Sequence, residues 1–306
     1  KDIDESLELV PTEGVFALPY VANAAGILYN REMFEEHNWE IPKSWEELKT
    51  LCKTIKSEGV LPFSFGFKDT CTCLAPWNAM AVDLSPADTP KQVNRGETTF
   101  SKEYAEVSEK YLELLEFGPD DPFAFSYNDA CTSFARGESA MYPIGSYAAP
   151  QILSVNPDLK LDSFVMPASD SADGNTLNSG IDLQFCVTAE CKNKEEAYEV
   201  LDFLYADENI QQYIDAQNAI PCKEGDFKLP SVLDGMQEYI SSGNMTDYPD
   251  HYYPSEMAVD AQIQTFLLKK DVDAFLKRFD TDWLRYNRDI IRLVQEYEKE
   301  HGNKSE

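Results

Sequence analysis

An α/β fold is predicted from short apolar runs that alternate with amphipathic helical segments, with no internal repeat or low-complexity tract between them. At 306 residues the chain is longer than one compact core usually supports, so more than one lobe is expected.

The sharpest helix start is Ser44-Trp45-Glu46-Glu47. It is a capping box, in which the Ser44 hydroxyl accepts from the Glu47 backbone while the Glu47 carboxylate reaches back. The helix it opens places Trp45, Leu48, Leu51, Cys52 and Ile55 on one face, and Gly59 supplies a left-handed exit. Residues 61–67 follow as a short strand. A helix is expected over 101–117, with Tyr104, Val107, Tyr111, Leu114 and Leu115 inward and Gly118 as its stop, then a shorter one over 128–136 before Gly137. Next come a strand over 139–142, a helix over 147–153 and a strand over 161–165. Residues 169–178 are small, polar and rich in Asp, Gly and Asn, the composition of an exposed loop, and 181–188 read as a buried strand. Helices are expected over 193–205 and 208–217, and the last third reads as helices over 232–241, 256–268, 272–278 and 281–300.

Twenty-six basic and 55 acidic residues give a formal charge of −29, which repels phosphate backbones and anionic head groups. A nucleic-acid partner and a basic membrane-surface role are therefore excluded. No apolar run approaches the roughly 18 to 20 residues of a membrane helix, and the first residues lack a signal-peptide core.

Seven cysteines cannot all pair within one chain, and most are expected to be unpaired, half-buried thiols. Cys71 and Cys73 are too close to bridge without strain, so a thiol pair is expected there. The three histidines lie far apart in sequence, and no zinc or other metal site is expected. Phosphate-loop, dinucleotide-turn and zinc-protease motifs are missing, and Gly137-Glu138-Ser139-Ala140-Met141 lacks the last glycine of a nucleophile elbow. The pairs Glu46-Glu47 and Glu195-Glu196 sit in first helical turns, where they compensate the helix dipole. No catalytic residue and no cofactor are expected, and the chain does not read as an enzyme.

An ordered set of motifs points further. Residues Gly14 to Tyr20 (G-V-F-A-L-P-Y), Gly26 to Phe34 (G-I-L-Y-N-R-E-M-F), Ile41 to Leu48 (I-P-K-S-W-E-E-L) and Gly59 to Phe63 (G-V-L-P-F) resemble extracellular solute-binding protein family 1, the maltose-binding-protein-like sugar receptors of ABC importers. Phe134, Gly137, Ala140 and Met141 followed by Gly145-Ser146-Tyr147 resemble its "F-x-x-G-x-x-A-M … G-x-W" block. Asn193 to Ala197, Phe203-Leu204 and Ala219-Ile220-Pro221 resemble its "N-K-E-x-A … F-L … x-I-P" block.

The resemblance implies a two-lobed, periplasmic-binding-protein-like α/β fold of type II, whose N-terminal lobe is incomplete in this chain. On that reading residues 1–21 are a remnant of lobe 1 with the first crossover, 22–164 form lobe 2, 165–221 return to lobe 1, and 222–306 are the helical C-terminal part of lobe 2. It also implies an extracytoplasmic protein, a membrane-anchored lipoprotein or a periplasmic one, whose leader lies outside the sequence. The implied role is capture of a carbohydrate between lobes and its delivery to permease subunits, by a monomer.

A sugar ring presents C–H groups that pack on an aromatic face and a rim of hydroxyls that bond to acids and amides. Tyr147 is the leading candidate, because it occupies the family's stacking-tryptophan position after Gly145; the alternative is a core residue at a helix start. Trp77, in the loop after the 61–67 strand, is expected either to touch ligand or to lie in the core. Asp69 follows that strand at its carboxyl end, where α/β sheets open on the crevice, or is a solvated loop acid. Asp182 begins the 181–188 strand, and Tyr253 precedes the 256–268 helix in another aromatic contact region. Tyr20 and Asn23 flank the first crossover as hinge or cleft residues. Two other functions stay open: the same fold serving a peptide, polyamine or other metabolite, and a carbohydrate-active enzyme built on two of the many acids.

Overall fold

The computed structural model describes residues 16–301; residues 1–15 of the expected lobe-1 remnant and the last five residues lie outside the described residues. The described chain opens with β1 (Leu18–Ala25), β2 (Ile27–Asn30), α1 (Arg31–His37), α2 (Trp45–Ser57) and β3 (Leu61–Phe63). Then come α3 (Leu74–Leu84), α4 (Thr89–Arg95), α5 (Phe100–Glu103), α6 (Ala105–Leu115), α7 (Tyr127–Ala135), β4 (Ser139–Tyr142), α8 (Ala149–Val155) and β5 (Leu161–Phe164). The second half runs through β6 (Leu177–Phe185), α9 (Lys194–Leu204), α10 (Asp207–Gln217), β7 (Ile220–Pro221), α11 (Gln237–Ser242) and β8 (Met245–Thr246), and closes with α12 (Val259–Lys269), α13 (Val272–Tyr286) and α14 (Arg288–His301).

Among the described residues the strands form two sheets of four. One has the order β3-β4-β2-β5, with β3 parallel to β4 and the other pairs antiparallel. Every residue of β2, β4 and β5 is buried, as expected of a sheet covered on both faces. The other sheet has the order β7-β1-β6-β8, and its long antiparallel pair β1·β6 carries register shifts between Pro19 and Ala22. Gly26 is the sole residue between β1 and β2, so the chain passes from one sheet into the other there.

The local signals explain the elements that frame this core. Ser44 Oγ accepts from the Glu47 N–H, whereas the Glu47 carboxylate bonds the Lys43 N–H instead of closing the box on Ser44. All five apolar residues named for this helix are buried, each contributing about 1.5–3 kcal/mol relative to exposure for a full-sized aliphatic or aromatic side chain. Gly59 and Gly137 take the left-handed conformation at φ +85° and +76°. Gly118 stops its helix for another reason: a Cβ there would fall on the Phe65 ring.

Several boundaries depart from expectation. The 61–67 strand ends at Phe63, although Ser64 still donates to the Met141 carbonyl and Phe65 and Phe67 stay buried. The 101–117 helix breaks at Tyr104, and the 181–188 strand runs instead over 177–185. The expected gap near residue 280 is absent, because Phe275, Leu276, Phe279 and Trp283 keep one buried face through it. Asp280, within that helix, accepts from the Phe100 and Ser101 N–H groups and so caps the start of α5. Helix α12 starts three residues later than expected, after Ala258 in a left-handed conformation.

Candidate functional site

The antiparallel pairing of β1 with β6 sets Asn23 opposite Gly180 and next to Asp182. Asn23 Nδ2 donates to Asp182 Oδ1 at 3.1 Å, and Asn23 Oδ1 accepts from the Tyr248 hydroxyl at 2.5 Å. Tyr248 belongs to a tight turn over 247–252 that lies against the strand because Gly180 has no side chain. A Cβ at Gly180 would fall on the Asp247 carboxylate and the Tyr248 ring.

That turn is a compact polar cluster. Asp247 Oδ1 accepts from the Tyr248 N–H at 2.8 Å and lies 2.9 Å from His251 Nδ1, while its Oδ2 accepts from the Tyr252 hydroxyl at 2.9 Å. Burial works to raise the Asp247 pKa, but these bonds and the His251 charge outweigh it and hold the carboxyl below its usual range. The Asp247 bond raises the His251 pKa against the opposing effect of burial, and the charges of Asp247, Asp250 and Asp182 add to it. Asp250 is pushed up by burial, although His251 and the amide of Asn78, which donates to its Oδ1 at 2.7 Å, pull the other way.

Tyr147 reaches the same place from the other sheet. Gly145 bridges Ala25 at the end of β1, and Ser146 Oγ accepts from the Ala24 N–H at 3.3 Å, which fixes the turn that carries the ring. The ring lies over Gly145, where a Cβ would collide with it. Tyr147 is 40% exposed, yet burial raises the pKa of its hydroxyl, with the charge of Asp250 and the thiols of Cys71 and Cys131 adding to the rise. The side chain is thus partly open to solvent, with Asp250, Cys71 and Cys131 acting on its hydroxyl.

Of the seven residues named from sequence, Tyr147, Asn23 and Asp182 are brought together around Tyr248. Of the other four, Trp77, Tyr253 and Tyr20 are core residues, and Asp69 stands near Cys71, whose thiol in turn acts on the Tyr147 hydroxyl. Trp77 is fully buried, and its indole N–H donates to the Tyr253 hydroxyl at 3.5 Å. Tyr253 is also buried and shares a 2.8 Å hydroxyl contact with Tyr104, so both side chains serve the core beneath the turn. Tyr20 is 3% exposed at the centre of an aromatic cluster, 5.3 Å from each of Phe185, Tyr205 and Tyr213. Asp69 Oδ2 accepts the Tyr127 N–H at 2.8 Å at the start of α7.

Sequence reasoning does not reach Asn78, Asp247, Tyr248, Asp250 and His251. The run Asp247-Tyr248-Pro249-Asp250-His251-Tyr252-Tyr253 has no helical or strand period, and its density of acids and rings between prolines is the one signal it offers. Among the described residues no group of three or more His, Cys, Asp or Glu side chains is placed to hold a metal ion, and all seven cysteines are free.

Residues 1–211 match the sequence profile of the bacterial extracellular solute-binding protein family. A multiple sugar-binding protein of Streptococcus mutans is 26% identical over 213 residues, which is 67% of this chain and 50% of that protein. The chain thus spans half the length of that relative. The solute-binding protein RafE, solved in complex with raffinose, superposes with a TM-score of 0.76 at 25% identity, covering 87% of this chain and 72% of RafE. A sugar transporter from Bacillus licheniformis in complex with stachyose gives a TM-score of 0.74 at 20% identity, covering 89% and 73%, and bears on the fold alone. These structures have the two-lobed type II α/β fold.

Proposed function

Because the chain belongs to the bacterial extracellular solute-binding protein family, we propose that it is the substrate-binding subunit of an ABC importer, which captures a carbohydrate beside Tyr147 and delivers it to permease subunits. The observation that carries this reading is the partly exposed ring of Tyr147 next to the hydrogen-bonded series Asp182, Asn23, Tyr248. A sugar stacks its C–H face on such a ring and bonds its hydroxyls to the carboxylate and amide beside it. The raffinose bound by RafE supports an oligosaccharide as the ligand.

In this reading residues 22–164 and 222–306 belong to one lobe, and 165–221 with the segment before 22 to the other. Strands β1 and β6 cross between the lobes, which close on the ligand, and the closed form engages the permease. The protein performs no chemistry on its ligand and works outside the cytoplasmic membrane, anchored as a lipoprotein or free in the periplasm. No helix among the described residues is long and apolar enough to cross a membrane. The carboxylates of Asp182, Asp247 and Asp250 around Tyr248 favour a second reading, a cationic non-sugar ligand such as a polyamine.

A thermal-shift screen with raffinose, stachyose, chitin oligosaccharides and spermidine decides between them. A ligand at 1,000 times its Kd stabilises the native state by about 4 kcal/mol. An oligosaccharide shift that is lost in Tyr147→Ala is expected. A shift with spermidine and none with any sugar overturns the carbohydrate reading, and a sugar shift unchanged in Tyr147→Ala overturns the site.

A further inference from the structure

The imidazole of His251 is built into the site from one side. Its Nδ1 lies 2.9 Å from Asp247 Oδ1, and Asp247 also accepts from the Tyr248 N–H and the Tyr252 hydroxyl, so the carboxylate that anchors the ring is itself fixed. The backbone supports the same placement, since the His251 N–H donates to the Tyr248 carbonyl at 3.0 Å. The ring packs on that of Tyr248, with centroids 5.2 Å apart. Gly180 supplies the space on the other side: a Cβ there would stand 3.1 Å from His251 Cε1, the carbon between the two ring nitrogens. The imidazole therefore lies beside the stretch of β6 that pairs with Asn23 and carries Asp182. The side chain is 42% exposed, which leaves it within reach of a solute.

We propose that His251 is a ligand contact and sets the charge preference of the site: with Nδ1 held by Asp247, Nε2 meets a hydroxyl of the solute, and protonation of the ring favours neutral sugars over cations. This rests on the carbohydrate reading of the site. An ionised Asp247 accepts from Nδ1–H in either state of the ring, so the second proton is gained or lost at Nε2. The neutral ring offers a lone pair there and the charged ring a donor. A hydrogen bond from a charged donor is roughly twice as strong as one from a neutral donor.

The groups around the ring explain the preference. The carboxylates that act on it are Asp247 and Asp250 on its own turn and Asp182 on β6, while α3 contributes the neutral amide of Asn78, bonded to Asp250. Three carboxylates beside a neutral imidazole suit a cation, whereas a charged imidazole offsets part of their field and repels one. The Asp247 bond raises the His251 pKa against the effect of burial, which keeps the charged ring populated toward neutral pH. A sugar then binds more tightly as pH falls through the pKa of His251, and a cation less tightly.

Isothermal titration calorimetry on the whole chain with raffinose, stachyose and spermidine across pH 5.5–8.5 tests this. The sugar dissociation constant is expected to rise about tenfold from the acid to the alkaline end, and the spermidine constant to fall over the same range. His251→Gln is expected to flatten both profiles and to weaken sugar binding at pH 5.5 by about tenfold. In the wild type, the titration midpoint of the His251 Cε1–H resonance is expected to move up when the sugar is saturating.

Sugar binding that is independent of pH, or a profile that survives in His251→Gln, overturns the role of His251 and leaves the carbohydrate reading standing. So does a loss of equal size at every pH, the mark of a structural residue, or an unmoved resonance midpoint. Spermidine binding without sugar binding, with a pH profile that His251→Gln removes, overturns the carbohydrate reading and keeps His251 as the residue that sets the charge preference. A chain that binds none of the three at any pH overturns both.

Discussion

The β3-β4-β2-β5 sheet and the helices α9 and α10 differ sharply in how much they bury. In the first region β2, β4 and β5 are buried at every position, and a continuous aromatic core runs from Phe63 and Phe65 through Trp77 and Tyr104 to Phe279 and Trp283. In the second, α9 has no buried residue, α10 buries only Ile210 and Ile214, and Tyr198, Val200 and Phe203 are 54%, 58% and 66% exposed. Both regions have the apolar patterning of folded protein, so sequence pattern alone does not measure how far a helix contributes to stability. That depends on what stands opposite its apolar face.

Substitutions can separate the two regions. Trp77→Ala empties a fully buried site at the centre of the aromatic core and is expected to cost about 3–5 kcal/mol in chemical denaturation, with the slope against denaturant unchanged. A loss below about 1 kcal/mol would mean that this core is not the stable part of the molecule.

Asp83 tests the join between the regions, since this α3 carboxylate accepts the Thr176 N–H at 2.7 Å just before β6. Burial pushes its pKa up to about 8 from an ordinary value of 3.8, against the pull of the Thr176 and Ala168 N–H groups and of Lys110. The folded state then holds a proton that the unfolded chain has released. Stability is expected to fall as pH rises from about 4 toward 8 and to level off above that. Thermal unfolding of wild type and Asp83→Asn across pH 5–9 checks the sign: the difference between them should grow in favour of the variant as pH rises. The smallest effect is expected at Phe203→Ala, within about 0.5 kcal/mol of wild type. A larger loss would show that α9 is covered by another part of the protein.

How much of the fold is legible in the sequence depends on where the information resides. Helix α2 is readable because its cap, apolar spacing and exit glycine are local, and α9 and α10 because their periodicity is strong. Strand β1, Leu-Pro-Tyr-Val-Ala-Asn-Ala-Ala, gives no strand signal, because alanine and asparagine carry little strand propensity and its pairing with β6 spans more than 150 residues. Helix α3 escapes for a different reason. It is apolar nearly all round and contains Pro76 in its first turn, so it shows no face. At the site, Tyr147 comes from the resemblance to a family, Asn23 from its place beside the first crossover and Asp182 from its place at the start of a strand. The turn at 247–252 has no period to detect, and only the tertiary fold brings it to β6.

All four tryptophans, Trp39, Trp45, Trp77 and Trp283, lie in the buried core around the β3-β4-β2-β5 sheet, and none of them lines the surface beside Tyr147. The intrinsic emission of this protein therefore reports on one region only. Its red shift in denaturant tracks the opening of that core and is silent on the helices that bury little. A ligand arriving at Tyr147 would leave the indole spectrum almost unmoved, so a flat fluorescence titration says nothing about binding, and calorimetry or a tryptophan placed at position 147 is the informative thermal or optical handle.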